Sequence, residues 1–179
     1  MIKVFLNDDL LAKHLALQIL KQLKIKKKLV LGCPGGRSLK KTYFYIGRLS
    51  TKLNISLNNL TIVMMDEYVD KKKGKYSLVN PKSHYSCVRF SKQVIKRLLN
   101  YKKNKKNELK KENILFPPID FPNTYDKKIN KIGGIDVFLL ASGASDGHVA
   151  FNNIYSKLNQ GTHIAKLSKK TREDNMKTF

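Results

Sequence analysis

The sequence predicts an α/β fold built on a mainly parallel sheet flanked by helices. Three observations lead there. Short apolar runs of strand length recur along the chain: "KKLVLGC" (27–33), "LTIVMM" (60–65) and "IDVFLLAS" (135–142). Segments with apolar residues at helical spacing lie between and around them, and strands that alternate with helices pair in parallel. Each run also leads directly into an unusual polar or glycine-rich stretch: "PGGRS", "MDEYV" and "SGASDGH". In a parallel sheet these stretches converge at the carboxyl edge of the strands, where ligands of α/β proteins bind.

The elements follow in order. "NDDLLAKHLALQILKQL" has apolar residues at 10, 11, 15, 19, 20 and 23, a helical spacing. Asn7 or Asp8 caps it, and Asp8 and Asp9 suit the positive end of its dipole. "KKLVLGC" reads as a buried strand, "PGGRS" as a turn, and "LKKTYFYIGRL" as a second helix. "LTIVMM" is the next buried strand. "SHYSCVRFSKQVIKRLL" (83–99) reads as a helix with Ser83 near its start. "YKKNKKNELKKEN" (101–113) is a charge run without apolar periodicity, expected to be a solvated loop. "LFPPIDFPNTY" is a proline-rich connector, and "IDVFLLAS" is the third strand. The closing stretch "LSKKTREDNMKTF" forms a last helix from Ser168 or Thr171.

With 179 residues, 41% of them hydrophobic, the chain suits one domain spanning 1–179. The formal net charge of +23 and pI of about 10.0 raise the question of a polyanionic partner. The lysines are scattered instead of lining one face, and asparagine and isoleucine are abundant as well. That pattern reads as compositional drift and argues against a nucleic-acid partner. The two cysteines, Cys33 and Cys87, form neither a disulfide framework nor a zinc motif. No apolar stretch approaches the roughly 18 residues of a membrane span, and the start lacks the apolar core of a signal peptide. The expectation is a soluble, cytoplasmic protein without a membrane partner. Homo-oligomerisation is left open.

Three stretches carry chemistry. A Gly-Gly turn between strand and helix, Gly35-Gly36, lets backbone N–H groups converge on an anion such as phosphate. It is neither a Walker A loop nor a dinucleotide fingerprint, and an ordinary βα turn fits it too. Asp66 and Glu67 end a strand, where a desolvated carboxylate serves as a general base; alternatively such an acid caps a helix or pairs with lysine. Asp146-Gly147-His148 places a carboxylate beside an imidazole, which fixes the tautomer and raises its basicity. His14, His84 and His163 lack such a setting: the first sits on a helix, the second opens one, the third lies in a polar stretch.

Taken in order, "LGCPGGRS", "MDEYV", "DGHVAFN" and "TREDN" resemble the motif series of the glucosamine-6-phosphate deaminase/isomerase and 6-phosphogluconolactonase family, across about residues 28–179. "MDEY" and "AFN" resemble its amino-sugar-phosphate branch. The resemblance implies a Rossmann-like sheet and conversion of glucosamine 6-phosphate to fructose 6-phosphate and ammonia, with no metal or redox cofactor. By matching motif positions, Asp66 is the base between C1 and C2, and His148, supported by Asp146, opens the sugar ring. Gly35, Gly36, Arg37 and Ser38 hold the phosphate, joined by Arg172. A lactonase-like hydrolase and a noncatalytic sugar-phosphate-binding remnant are the alternatives. Departures from the family pattern are Arg37 in place of a small residue, Asn153 in place of glutamate after "AFN", and His163 in place of an effector-site arginine. Family members continue for another strand-helix-strand block, so the expected sheet is shortened on its C-terminal side, with an unpaired edge.

Overall fold

The computed structural model describes residues 2–141, 147–153 and 155–176. Helix α1 (Asp8–Lys26) opens as the sequence predicts: the Asn7 side chain accepts from the Leu10 N–H at 2.9 Å, and Asp8 and Asp9 occupy the first turn. Its buried stripe is Ala12, Ala16, Ile19, Leu20 and Leu23. Leu10 and Leu11, expected to face inward, are exposed instead; small alanines hold the inward positions near that end of α1, which packs against α2 (Lys40–Lys52). Lys27 ends α1 in the left-handed region at φ 60°.

Strands β1 (Leu29–Cys33) and β2 (Leu60–Met64) are almost wholly buried apolar residues, as central parallel strands are. They pair in parallel with Leu29 opposite Leu60 and Cys33 opposite Met64. A hairpin of β3 (Val69–Lys72) and β4 (Lys75–Leu78) follows, then a helical stretch made of α3 (Cys87–Phe90), a π-turn (Ser91–Ile95) and α4 (Lys96–Leu99). Its cap is Ser86, whose Oγ accepts from the Arg89 N–H at 3.1 Å; Ser83, the expected start, belongs to the preceding turn. The charge run holds two 3₁₀ turns, Lys105–Asn107 and Lys111–Asn113, and buries Leu109 completely.

Strand β5 (Ile114–Leu115) pairs in parallel with β2, and β6 (Val137–Phe138) with β1. The sheet order is β5-β2-β1-β6, all parallel, so the predicted α/β class is observed. The ladder between β6 and β1 runs from the Asp136 N–H to the Leu139 N–H, shorter than the eight-residue strand expected. Asp136 reinforces it: its Oδ2 accepts from the Val30 N–H at 2.8 Å, and its other oxygen pairs with Lys26.

The two faces of the sheet are covered unequally. Leu29, Leu31, Cys33, Ile62 and Met64 pack against α1, α2 and the 87–99 helix in the main core. Val30, Val63 and Leu115 face α5 (Thr124–Lys131) in a smaller cluster. There the Tyr125 hydroxyl lies 2.9 Å from the Met64 carbonyl and 3.0 Å from that of Leu115, donating at the carboxyl ends of β2 and β5. The last helix, α6 (Lys169–Met176), begins just after Ser168, one of the two starts expected. No helix among the described residues is long and apolar enough to cross a membrane.

Candidate active site

The chain leaves β1 at Cys33 and turns at once through Pro34, Gly35 and Gly36 into α2. The Tyr43 hydroxyl of α2 donates to the Pro34 carbonyl at 3.1 Å and ties the turn down from below. Gly36 has φ +86°, a left-handed conformation costly for any other residue. Gly35 is needed for space: a Cβ there would stand 2.7 Å from the Cys87 sulfur and 3.9 Å from Asp66 Oδ1. The turn therefore lies directly against the acid expected as the base. Arg37 and Ser38 complete the turn with exposed side chains.

Asp66 and Glu67 leave the neighbouring strand β2 together and part company. Glu67 spends its carboxylate on the fold: Oε1 accepts from the Tyr68 N–H at 2.8 Å and the Cys87 N–H at 3.0 Å, and Oε2 from Ser86 Oγ at 2.9 Å and the Val88 N–H at 2.7 Å. It is an N-terminal clasp for α3, supplied from outside the helix. Asp66 is half-buried and takes a weaker partner, the Cys87 thiol, at 3.5 Å from Oδ1. Burial pushes its pKa up to about 6; the Cys87 hydrogen bond works against this, the Glu67 charge adds to it, and His148 opposes it. A carboxyl group so poised exchanges protons near neutral pH.

The third stretch arrives from the far side. His148 is half-buried, and its Nδ1 lies 3.4 Å from the hydroxyl of Thr171 on α6. Thr171 is buried; its N–H donates to Ser168 Oγ at 3.0 Å, and the two hydroxyls share a hydrogen bond of 2.8 Å. Arg172, the next residue, is exposed. Ala150 sits at φ 54° and the Phe151 ring meets that of Tyr68 at a tilt of 48° with centroids 4.6 Å apart, so "AFN" meets "DEY" through an aromatic contact. Asn153 turns away: its side-chain N–H donates to the Lys166 carbonyl at 3.1 Å. Asp146 lies outside the described residues. Beside Asp66 a cavity of about 310 Å³ is lined by Tyr68, Pro117, Pro118, Phe151 and His163 among others.

Asp66, the glycine turn and His148 are thus gathered at the carboxyl edge of β1 and β2. Sequence reasoning missed Cys87 and Thr171, each more than twenty residues from the group it serves, and Ser168, which holds Thr171. Only the serine ahead of "CVRF" and of "KKTRE" gave a signal, as helix caps.

No protein-family model matches the sequence. Over 185 residues the chain is 30% identical to glucosamine-6-phosphate deaminase of Alkaliphilus metalliredigens, a match covering 99% of this chain and 69% of that one. The chain belongs to the glucosamine-6-phosphate deaminase family. The deaminases of Clostridium tetani and Mycoplasma mycoides are each 31% identical, over 99% and 97% of this chain and 70% and 65% of their own. The chain therefore spans about two thirds of the length of these family members. A solved structure of a monomeric glucosamine-6-phosphate deaminase matches with a TM-score of 0.77 at 22% identity, over 96% of this chain and 66% of that one. 6-Phosphogluconolactonase of Thermotoga maritima matches with a TM-score of 0.54 at 20% identity, over 80% and 60%. These two structures share the family fold.

Proposed function

We propose that this chain carries out the family reaction: glucosamine 6-phosphate and water give fructose 6-phosphate and ammonia. The observation that carries the reading is Asp66, a half-buried acid with a pKa raised to about 6, lying against a glycine turn of the kind that holds phosphate. Backbone N–H groups at Gly35 and Gly36, the Ser38 hydroxyl, and the Arg37 and Arg172 guanidiniums hold the phosphate. The sugar then extends over Asp66 towards the adjoining cavity. His148, backed by Asp146 and by the Thr171 hydroxyl, transfers the proton that opens the ring. Asp66 removes the proton from C2, made acidic by the C1 aldehyde, and returns one to C1. The nitrogen is left on C2 as an imine, which water hydrolyses to the ketone with release of ammonia.

The relatives' names and the higher TM-score of the deaminase structure favour this over lactone hydrolysis. The test is release of ammonia and fructose 6-phosphate from glucosamine 6-phosphate, with Asp66→Asn as the comparison. Removing a general base costs roughly 10²- to 10⁴-fold in rate. Equal turnover by the two proteins, or acid release from 6-phosphogluconolactone without deamination, overturns the proposal.

A further inference from the structure

Cys87 stands where three parts of the site meet. It is the first residue of α3, and Glu67 grips its N–H and that of Val88. That grip sets the height of the helix end and brings the Cys87 sulfur within 3.5 Å of Asp66 Oδ1. The same sulfur fills the space beneath Gly35, where even a methyl group would come within 2.7 Å. The residue is 6% exposed, so neither oxidants nor solvent reach it readily. Burial pushes the thiol well above its ordinary pKa, and the Asp66 and Glu67 charges add to this. It is therefore a protonated donor and not a nucleophile.

We propose that Cys87 is a positioning residue for Asp66: its thiol donates a hydrogen bond to Oδ1 and aims the carboxylate into the space beside the Gly35–Gly36 turn. The proposal rests on the reading of Asp66 as the base. Its chemical logic is that a buried carboxylate needs a donor to stay ionised, but a strong donor would remove its basicity. A thiol, a weak donor, satisfies both demands. The ionisable groups that act on or respond to Asp66 are Glu67 beside it, Cys87 from α3, His148 from the 147–153 segment and Tyr43 from α2. Burial pushes the Asp66 carboxyl up, and the Cys87 hydrogen bond opposes it.

The test follows the Asp66 carboxyl carbon by ¹³C NMR through a pH titration, with Asp66→Asn to assign the signal. Cys87→Ala and Cys87→Val both lack the donor; valine nearly preserves the volume and carries the test if the alanine variant fails to fold. Each should raise the titration midpoint by about half a unit or more, while Cys87→Ser, whose hydroxyl is a stronger donor than the thiol, should hold the midpoint at or below that of the parent. An unchanged midpoint in a folded donor-less variant overturns the proposal. This readout needs no turnover: loss of the deaminase reading with the shift intact leaves the Cys87–Asp66 link standing. Where turnover is present, the acid limb of kcat/KM moves upward by the same amount and the high-pH plateau holds. A uniform loss without displacement marks a merely structural cysteine and also overturns the proposal.

Discussion

Two adjacent acids, Asp66 and Glu67, are parted by what reaches them. Four N–H and O–H donors converge on Glu67, whereas among the described residues Asp66 takes the Cys87 thiol. The sequence presented the pair as candidates for a base or a helix cap; the structure commits Glu67 to the helix end and leaves Asp66 as the candidate base. The spacing of the two carboxylates carried no such information, because the deciding groups, Ser86 to Val88, arrive from about twenty residues downstream. The raised pKa of Asp66 has a consequence for stability. The native state favours the neutral acid, so its contribution is fully present below the unfolded pKa of about 4 and is lost as pH rises through about 6. Asp66→Asn removes that loss. The variant is expected to be more stable than the parent at pH 8 by roughly 1–3 kcal/mol, and level with it below pH 4. Urea unfolding at both pH values checks this; a variant less stable at pH 8 defeats the burial argument.

At the scale of elements, the long periodic segments were legible and the short ones were not. Helices α1 and α2 announce themselves through apolar spacing over many residues, and strands β1 and β2 through short, nearly unbroken apolar runs. The β3–β4 hairpin does not: its residues are nearly all exposed, and its turn is Lys73-Gly74, at φ 48° and 79°, instead of the usual Asn-Gly. Helix α5 begins where the proline-rich connector ends and was not read from the sequence, because Tyr125 is its one fully buried side chain. The junction of α2 with α4 is also unreadable from sequence. Gly47 lets the helices approach so closely that a Cβ there would fall 1.8 Å from the Leu98 carbonyl oxygen. Backbone cannot yield as a flexible side chain does. Gly47→Ala is expected to cost about 3 kcal/mol, seen as a lower urea midpoint at unchanged slope. A loss under about 0.5 kcal/mol would mean that the helices slide apart freely.

For the whole molecule, the sequence foretold the parallel sheet and the meeting of three motifs at its edge, since strand ends of one sheet share a side. Which face is thinly covered could not be foretold, because it depends on α5. A net charge of +23 repels itself over a chain of this length. Local compensation includes Lys41 with Asp8 and Asp9, and Lys26 with Asp136. Raising sodium chloride from about 0.05 to 0.5 M shortens the Debye length from about 14 to 4 Å, and Tm should rise by roughly 2–4 °C. A Tm that stays flat or falls in a scanning calorimeter refutes net self-repulsion as a stability term.

The pairing of Cys33 with Met64 has one more consequence. The glycine turn begins one residue past the first of these, and Asp66 lies two past the second, on hydrogen-bonded neighbours. The separation of the glycine turn from Asp66 is thus set by the register of two paired strands, in residue steps of about 3.3 Å along the chain. A slip of one residue would turn every buried side chain of that strand to the opposite face, so the register cannot creep. No surface side chain takes part in setting it. The exterior is free to exchange residue after residue for lysine while the working distance inside stays the same.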